Sequence, residues 1–170
     1  MEKLIIFGYI FSAICYITYY IGRFFKKKSS IMISSTITQF FAMLSYFCFG
    51  SNVAAINASL AMLRCPCIIY KEKKNKDMHW LFAIFAILMF GGIYFCWEGY
   101  RSLITTASAF SVLTSEWYFK NPQYIRIVSI FATLFDVIFM FIIGNYLGFV
   151  CELLVILSNL FSFLKYRKQK

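Results

Sequence analysis

Three ionisable side chains stand inside long apolar runs of this 170-residue chain: Arg64, Asp136 and Glu152. A charged group within a hydrocarbon layer costs about 2.5–3.5 kcal/mol on insertion scales, so each needs a partner or a task. Counted at about 1.5 Å per residue from the outer span ends, Arg64 lies about 16 Å deep, Asp136 about 12 Å and Glu152 about 9 Å. Those depths allow Arg64 to reach Asp136 directly, and Glu152 when both side chains extend. A cation with two carboxylates makes either a self-satisfied structural network or a binding site or gate whose pairing changes with solute or protonation. Pro66, two residues further on, removes a backbone donor and is expected to kink its helix near the midplane, as transport gates often require. Thr38, Gln39 and Thr133 read as glue between helices. Glu116 reads as structural, snorkelling or pairing with Lys120 one turn on. His79 reads as interfacial. No catalytic residue and no metal ligand set is expected, because the six Cys all lie in apolar segments and there is a single His. An enzyme and a cofactor are accordingly not expected.

The elements that must position these groups are membrane helices. The chain is 61% hydrophobic and 21% aromatic, and 14% of its residues are charged, against about a quarter in a soluble domain. Apolar runs near 4–22, 31–51, 53–70, 80–97, 103–119, 124–144 and 146–166 predict seven transmembrane helices. The first run has a sparse basic flank and no small-residue cleavage site, so it reads as a retained helix. Formal net charge is +10, but the basic residues sit in loops beside apolar runs, which points to topology and anionic lipid and not to nucleic acid. Fourteen of the 17 Lys and Arg fall on one side of a seven-span layout, leaving Lys3 and Arg101 opposite and Arg64 inside a span. The positive-inside rule then places the N-terminus outside and the C-terminus in the cytoplasm. Trp80, Trp97 and Trp117 fall at span ends, where an aromatic belt would put them.

A shift of 94 residues superposes Gly50 on Gly144, Phe41 on Phe135, Phe47 on Phe141, Leu60 on Leu154, Leu63 on Leu157 and Lys71 on Lys165. The layout is then an all-α protein of two parallel three-helix repeats, 1–76 and 102–170, joined by a linker helix in 77–101. A chain of this three-plus-one-plus-three plan resembles the SWEET sugar transporters and the Pnu-type vitamin transporters. The segment from Gly50 to Arg64 with its Ala61-Met-Leu-Arg64 end, and Gly144-Asn-Tyr-Leu-Gly148 with Glu152, Asn159 and Lys165-Tyr-Arg167, resembles the bacterial inner-membrane YgjV family. That resemblance implies a multi-pass protein of the bacterial inner membrane, related to SWEET and PQ-loop proteins, with no settled substrate. By resemblance to SWEET proteins, Asn159 becomes a candidate for a hydrogen bond to substrate; its alternative is a bond between helices.

Together these features suggest a transporter or facilitator of a small polar metabolite, such as a sugar, nucleoside or vitamin-like compound, held between the repeats by Arg64, Asp136, Glu152 and Asn159. The expected partners are that solute and the bilayer, with a homo-oligomer possible and nucleic acid excluded. A non-transporting scaffold or accessory protein with a structural ion network is the alternative.

Overall fold

In lipid every backbone N–H and C=O must find its partner within the protein, so apolar runs of this length become helices. The computed structural model of the protein describes residues 2–25, 27–74 and 77–166, and its elements are all helical. They are α1 (Glu2–Arg23), α2 (Lys28–Cys48), α3 (Asn52–Lys74), α4 (His79–Phe95), α5 (Tyr100–Tyr118), α6 (Pro122–Ile142) and α7 (Tyr146–Tyr166). The main departure from the sequence expectation is the end of α3, which runs past residue 70 to Lys74. Three lysines in its last turn favour the negative end of the helix dipole. Five helices, α1, α2, α3, α6 and α7, are long and apolar enough to cross a membrane by length and composition. The fourth helix has 17 residues, about 26 Å at 1.5 Å per residue. In α5 a buried polar face of Ser102, Thr105, Thr106, Ser108, Ser115 and Glu116 lowers the hydropathy.

Packing follows a closed ring in the order α1, α2, α3, α5, α6, α7 and back to α1, with α4 lying outside against α3 and α5. Burial is inverted relative to a soluble protein. Large apolar side chains such as Ile17, Leu63, Ile87, Phe131 and Leu157 face outward, while Ser12, Thr38, Asn57, Arg64, Thr106 and Asn159 are buried. This is the arrangement expected where lipid is the outer solvent. Glycine permits the close approach of α1 and α2, since a Cβ on Gly22 would press on the Ser34 side chain, with Ser34 Cβ at 2.7 Å. The outer helix α4 is held by an apolar cluster in which Phe85 and Met89 pack with Met32, Cys65, Ile68, Leu113 and Trp117.

The hairpins α2–α3 and α6–α7 match bond for bond under the 94-residue shift. Gly50 N–H donates to Phe47 O, Ser51 N–H to Tyr46 O and Ala55 N–H to Ser51 O; Gly144 N–H donates to Phe141 O, Asn145 N–H to Met140 O and Phe149 N–H to Asn145 O. Both turns need a left-handed residue, and Gly50 and Gly144 supply it with φ of 71° and 75°. The α2 and α6 helices also begin and end 94 residues apart. At this hairpin end, the Glu98 carboxylate caps α3 by accepting from Asn52 N–H at 2.6 Å, Val53 N–H at 3.2 Å and Ser51 Oγ at 3.0 Å.

At the opposite, basic end, Lys28 Nζ donates to the Glu116 and Phe119 carbonyls and pairs with Glu72 at 2.6 Å. Lys71 Nζ donates to Trp117 O and lies 5.0 Å from the Trp117 ring centroid. Trp80 and Trp97 are exposed as a belt requires, but Trp117 is 3% exposed. It belongs to the core beneath α4, which corrects its expected interfacial place. His79 stacks on Tyr118 at the start of α4.

Candidate functional site: a polar cavity inside the helix ring

Polar residues from six helices line two adjoining cavities inside the ring. The first, of about 100 Å³, is bounded by Asn57, Ala58, Ala61 and Arg64 of α3, Thr105, Ser108 and Val112 of α5, and Asp136 of α6. The second, of about 110 Å³, is bounded by Tyr16, Thr38, Glu116, Thr133, Asp136 and Glu152, among others. Gln39, Tyr46, Val112 and Asp136 belong to both walls. Each cavity is polar and has room for several waters or a small solute, since one water needs about 10–15 Å³ on this measure.

Arg64 does not pair with Asp136 or Glu152 as its depth suggested. Its Nε and Nη2 lie 3.1 and 3.0 Å from Glu116 Oε2, and Nη1 donates to Ala109 O at 3.3 Å. The pair is closed to solvent, with side-chain exposures of 3% and 7%. Adjacency explains the choice: α3 packs directly on α5, and the buried stripe of α5 ends in Glu116. Glu116 is therefore an interior residue and not a snorkelling partner of Lys120. A polar stripe at helical spacing, Ser102, Thr105/Thr106, Ser108 and Glu116, was the signal in the sequence that α5 turns this face inward.

Glu152 lies at the other seam of the ring, between α7 and α1. Tyr16 donates its hydroxyl to Glu152 Oε1 at 2.9 Å, and Tyr20 donates to Cys151 O at 2.8 Å. The two seams have related polar contacts. Asn57 Nδ2 donates to Thr106 Oγ1 across α3 and α5 at 3.1 Å, and Asn145 Nδ2 to Ser12 Oγ across α7 and α1 at 3.4 Å. Ser12 and Thr106 are 94 residues apart.

Asp136 stands in the wall common to both cavities, with Ser108 beside it. Among the described residues it has no ion pair. Pro66 sits within α3, which continues through it to Lys74, so the proline does not end the helix. Asn159 is fully buried, and both its amide atoms and the Ser162 hydroxyl lack a hydrogen-bond partner. It does not line either of these cavities. The structure thus brings Arg64, Asp136 and Glu152 around one central space, adds Glu116, and leaves Pro66 and Asn159 off its walls. Among the described residues no cluster of His, Cys, Asp and Glu is placed to hold a metal.

A family model of bacterial inner membrane proteins, Imp-YgjV, matches residues 6–170. The chain belongs to that family. No curated protein matches it, and no solved structure does. For this YgjV-family chain the match agrees with the apolar helices in making it a multi-pass protein of the bacterial inner membrane.

Proposed function

We propose that the protein is a transporter or facilitator of a small polar metabolite, comparable in size and polarity to a sugar, nucleoside or vitamin, held between α1–α3 and α5–α7. The observation that supports this is the polar space inside the ring, walled by six helices and carrying the Asp136 carboxylate without an ion pair. Buried charge that only stabilised a bundle would be expected to find a partner, as Arg64 and Glu116 do. Solute would contact Asp136, with Glu152 and Tyr16 on the second cavity's wall and Arg64 fixed in place by Glu116. The matched hairpins support treating the chain as two parallel units around a site at their interface. In this reading the basic end, with Lys28, Lys71 and Lys120, faces the cytoplasm, and the N-terminus is outside.

The test is uptake into proteoliposomes of radiolabelled glucose, uridine, thiamine and putrescine. Transport predicts that at least one accumulates above protein-free vesicles; uniform background with folded protein refutes it. A second reading, a membrane scaffold with a structural ion network, is favoured by the closed geometry of Arg64, Glu116 and the Ala109 carbonyl. It would become the better reading if Asp136→Asn and Arg64→Met changed stability alone.

A further inference from the structure

The formal charge around the central cavity is one-sided. Its one guanidinium is committed, with Nε and Nη2 on Glu116 and Nη1 on the Ala109 carbonyl. Thr105 donates its hydroxyl proton to the Arg101 and Ser102 carbonyls within its own helix, so only lone pairs of Oγ1 remain for the cavity. Asn57 donates through Nδ2 to Thr106, while its carbonyl Oδ1, in a side chain 5% exposed, has no partner. Asp136 adds a carboxylate to the same wall. The formally charged residues around the two cavities are Arg64 against Glu116, Asp136 and Glu152, a net charge of −2. The Arg64 charge is balanced by Glu116, whereas Asp136 has no cation against it among the described residues and the Asn57 Oδ1 accepts from no donor.

We infer that the central cavity binds a small solute carrying a protonated amine, whose N–H groups are received by Asp136 and the Asn57 Oδ1. An uncharged sugar would leave the Asp136 carboxylate without a counter-charge, and an anion would meet the carboxylates. Tyr46 lines both cavities, and a tyrosine ring is a side chain that attracts an ammonium. A volume of about 100 Å³ exceeds the space of one bare ion and suits a molecule of several heavy atoms. The inference rests on the reading of this space as a solute site and names the class of solute.

The experiment is thermal unfolding of the detergent-purified full chain with ethanolamine or putrescine, against the neutral ethylene glycol and 1,4-butanediol and against sodium chloride at equal ionic strength. At a hundredfold excess over Kd, an amine should raise Tm by on the order of 5 °C. Asp136→Asn should weaken the amine response at least tenfold, and Asp136→Glu should keep part of it. Asn57→Leu supplies a second test if Asp136→Asn does not fold. No amine shift in the wild type overturns the inference, as does a response unaltered by Asp136→Asn and Asn57→Leu. An equal shift from the diols removes the charge selectivity and overturns it, and so does a full shift from sodium alone. Uptake of the four labelled solutes separates the two claims: amine binding with no flux of any of them upholds the amine site and refutes transport, whereas flux of uridine or glucose without amine binding does the reverse.

Discussion

Arg64→Met leaves the Glu116 carboxylate buried without its cation. The partners are 3% and 7% exposed at the side chain, and Arg64 makes two contacts to one carboxylate oxygen. Breaking one partner of such a buried pair costs about 3–5 kcal/mol, because the survivor keeps its desolvation penalty. For a chain of this size about 2–4 °C of Tm is lost per kcal/mol, so the midpoint should fall by on the order of 10 °C. Glu116→Met should cost a similar amount. The double variant Arg64→Met/Glu116→Met removes both charges and fills their space, so it should recover to within about 2 kcal/mol of wild type. Thermal unfolding in one detergent, with all four proteins compared as a double-mutant cycle, measures this. Asp136→Asn is the control, and it should not rescue Arg64→Met. Rescue by Asp136→Asn but not by Glu116→Met would show that Arg64 pairs as its depth alone suggested, and would refute the assigned pairing.

Glu98→Ala should cost about 1–2 kcal/mol by uncovering the first N–H groups of α3; a Tm within 1 °C of wild type, against an expected fall of about 2–8 °C, would show that the cap contributes nothing. Gly50→Ala and Gly144→Ala should each lower stability by about 1–2 kcal/mol, from backbone strain alone, because a Cβ meets nothing within 4 Å at either turn. Unequal losses at the two glycines would argue against equivalent hairpins. Asn159→Leu should raise Tm by on the order of 3 °C, since it removes a buried amide with two unpaired atoms. A lower Tm, or loss of solute binding, would restore Asn159 to the site.

Seven helices and two glycine hairpins were legible in the sequence because apolar length and turn chemistry are local properties. The central carboxylates were legible for the same reason: Asp136 and Glu152 are conspicuous in apolar runs. What escaped were relations between helices that share no local signal. Which helix neighbours α3 decides that Arg64 meets Glu116, and hydropathy along the chain does not encode that neighbour. Glu116 lies near the end of α5 with Lys120 one turn on, so spacing alone favoured a surface pair. Trp117 likewise sits at a span end, yet α4 packs over it and makes it core. Glu98 acts as a cap only because the α4–α5 connection folds against the start of α3.

The most direct test of a solute path through the ring is to close it at Val112, which lies on both cavity walls. Wild type and Val112→Trp would be reconstituted side by side and assayed for uptake of radiolabelled glucose, uridine, thiamine and putrescine, with Tm confirming that the variant is folded. The proposed path predicts flux of at least one solute in wild type and its reduction to the protein-free background in Val112→Trp. Flux unchanged by the tryptophan, or no flux of any solute through folded wild type, would contradict it.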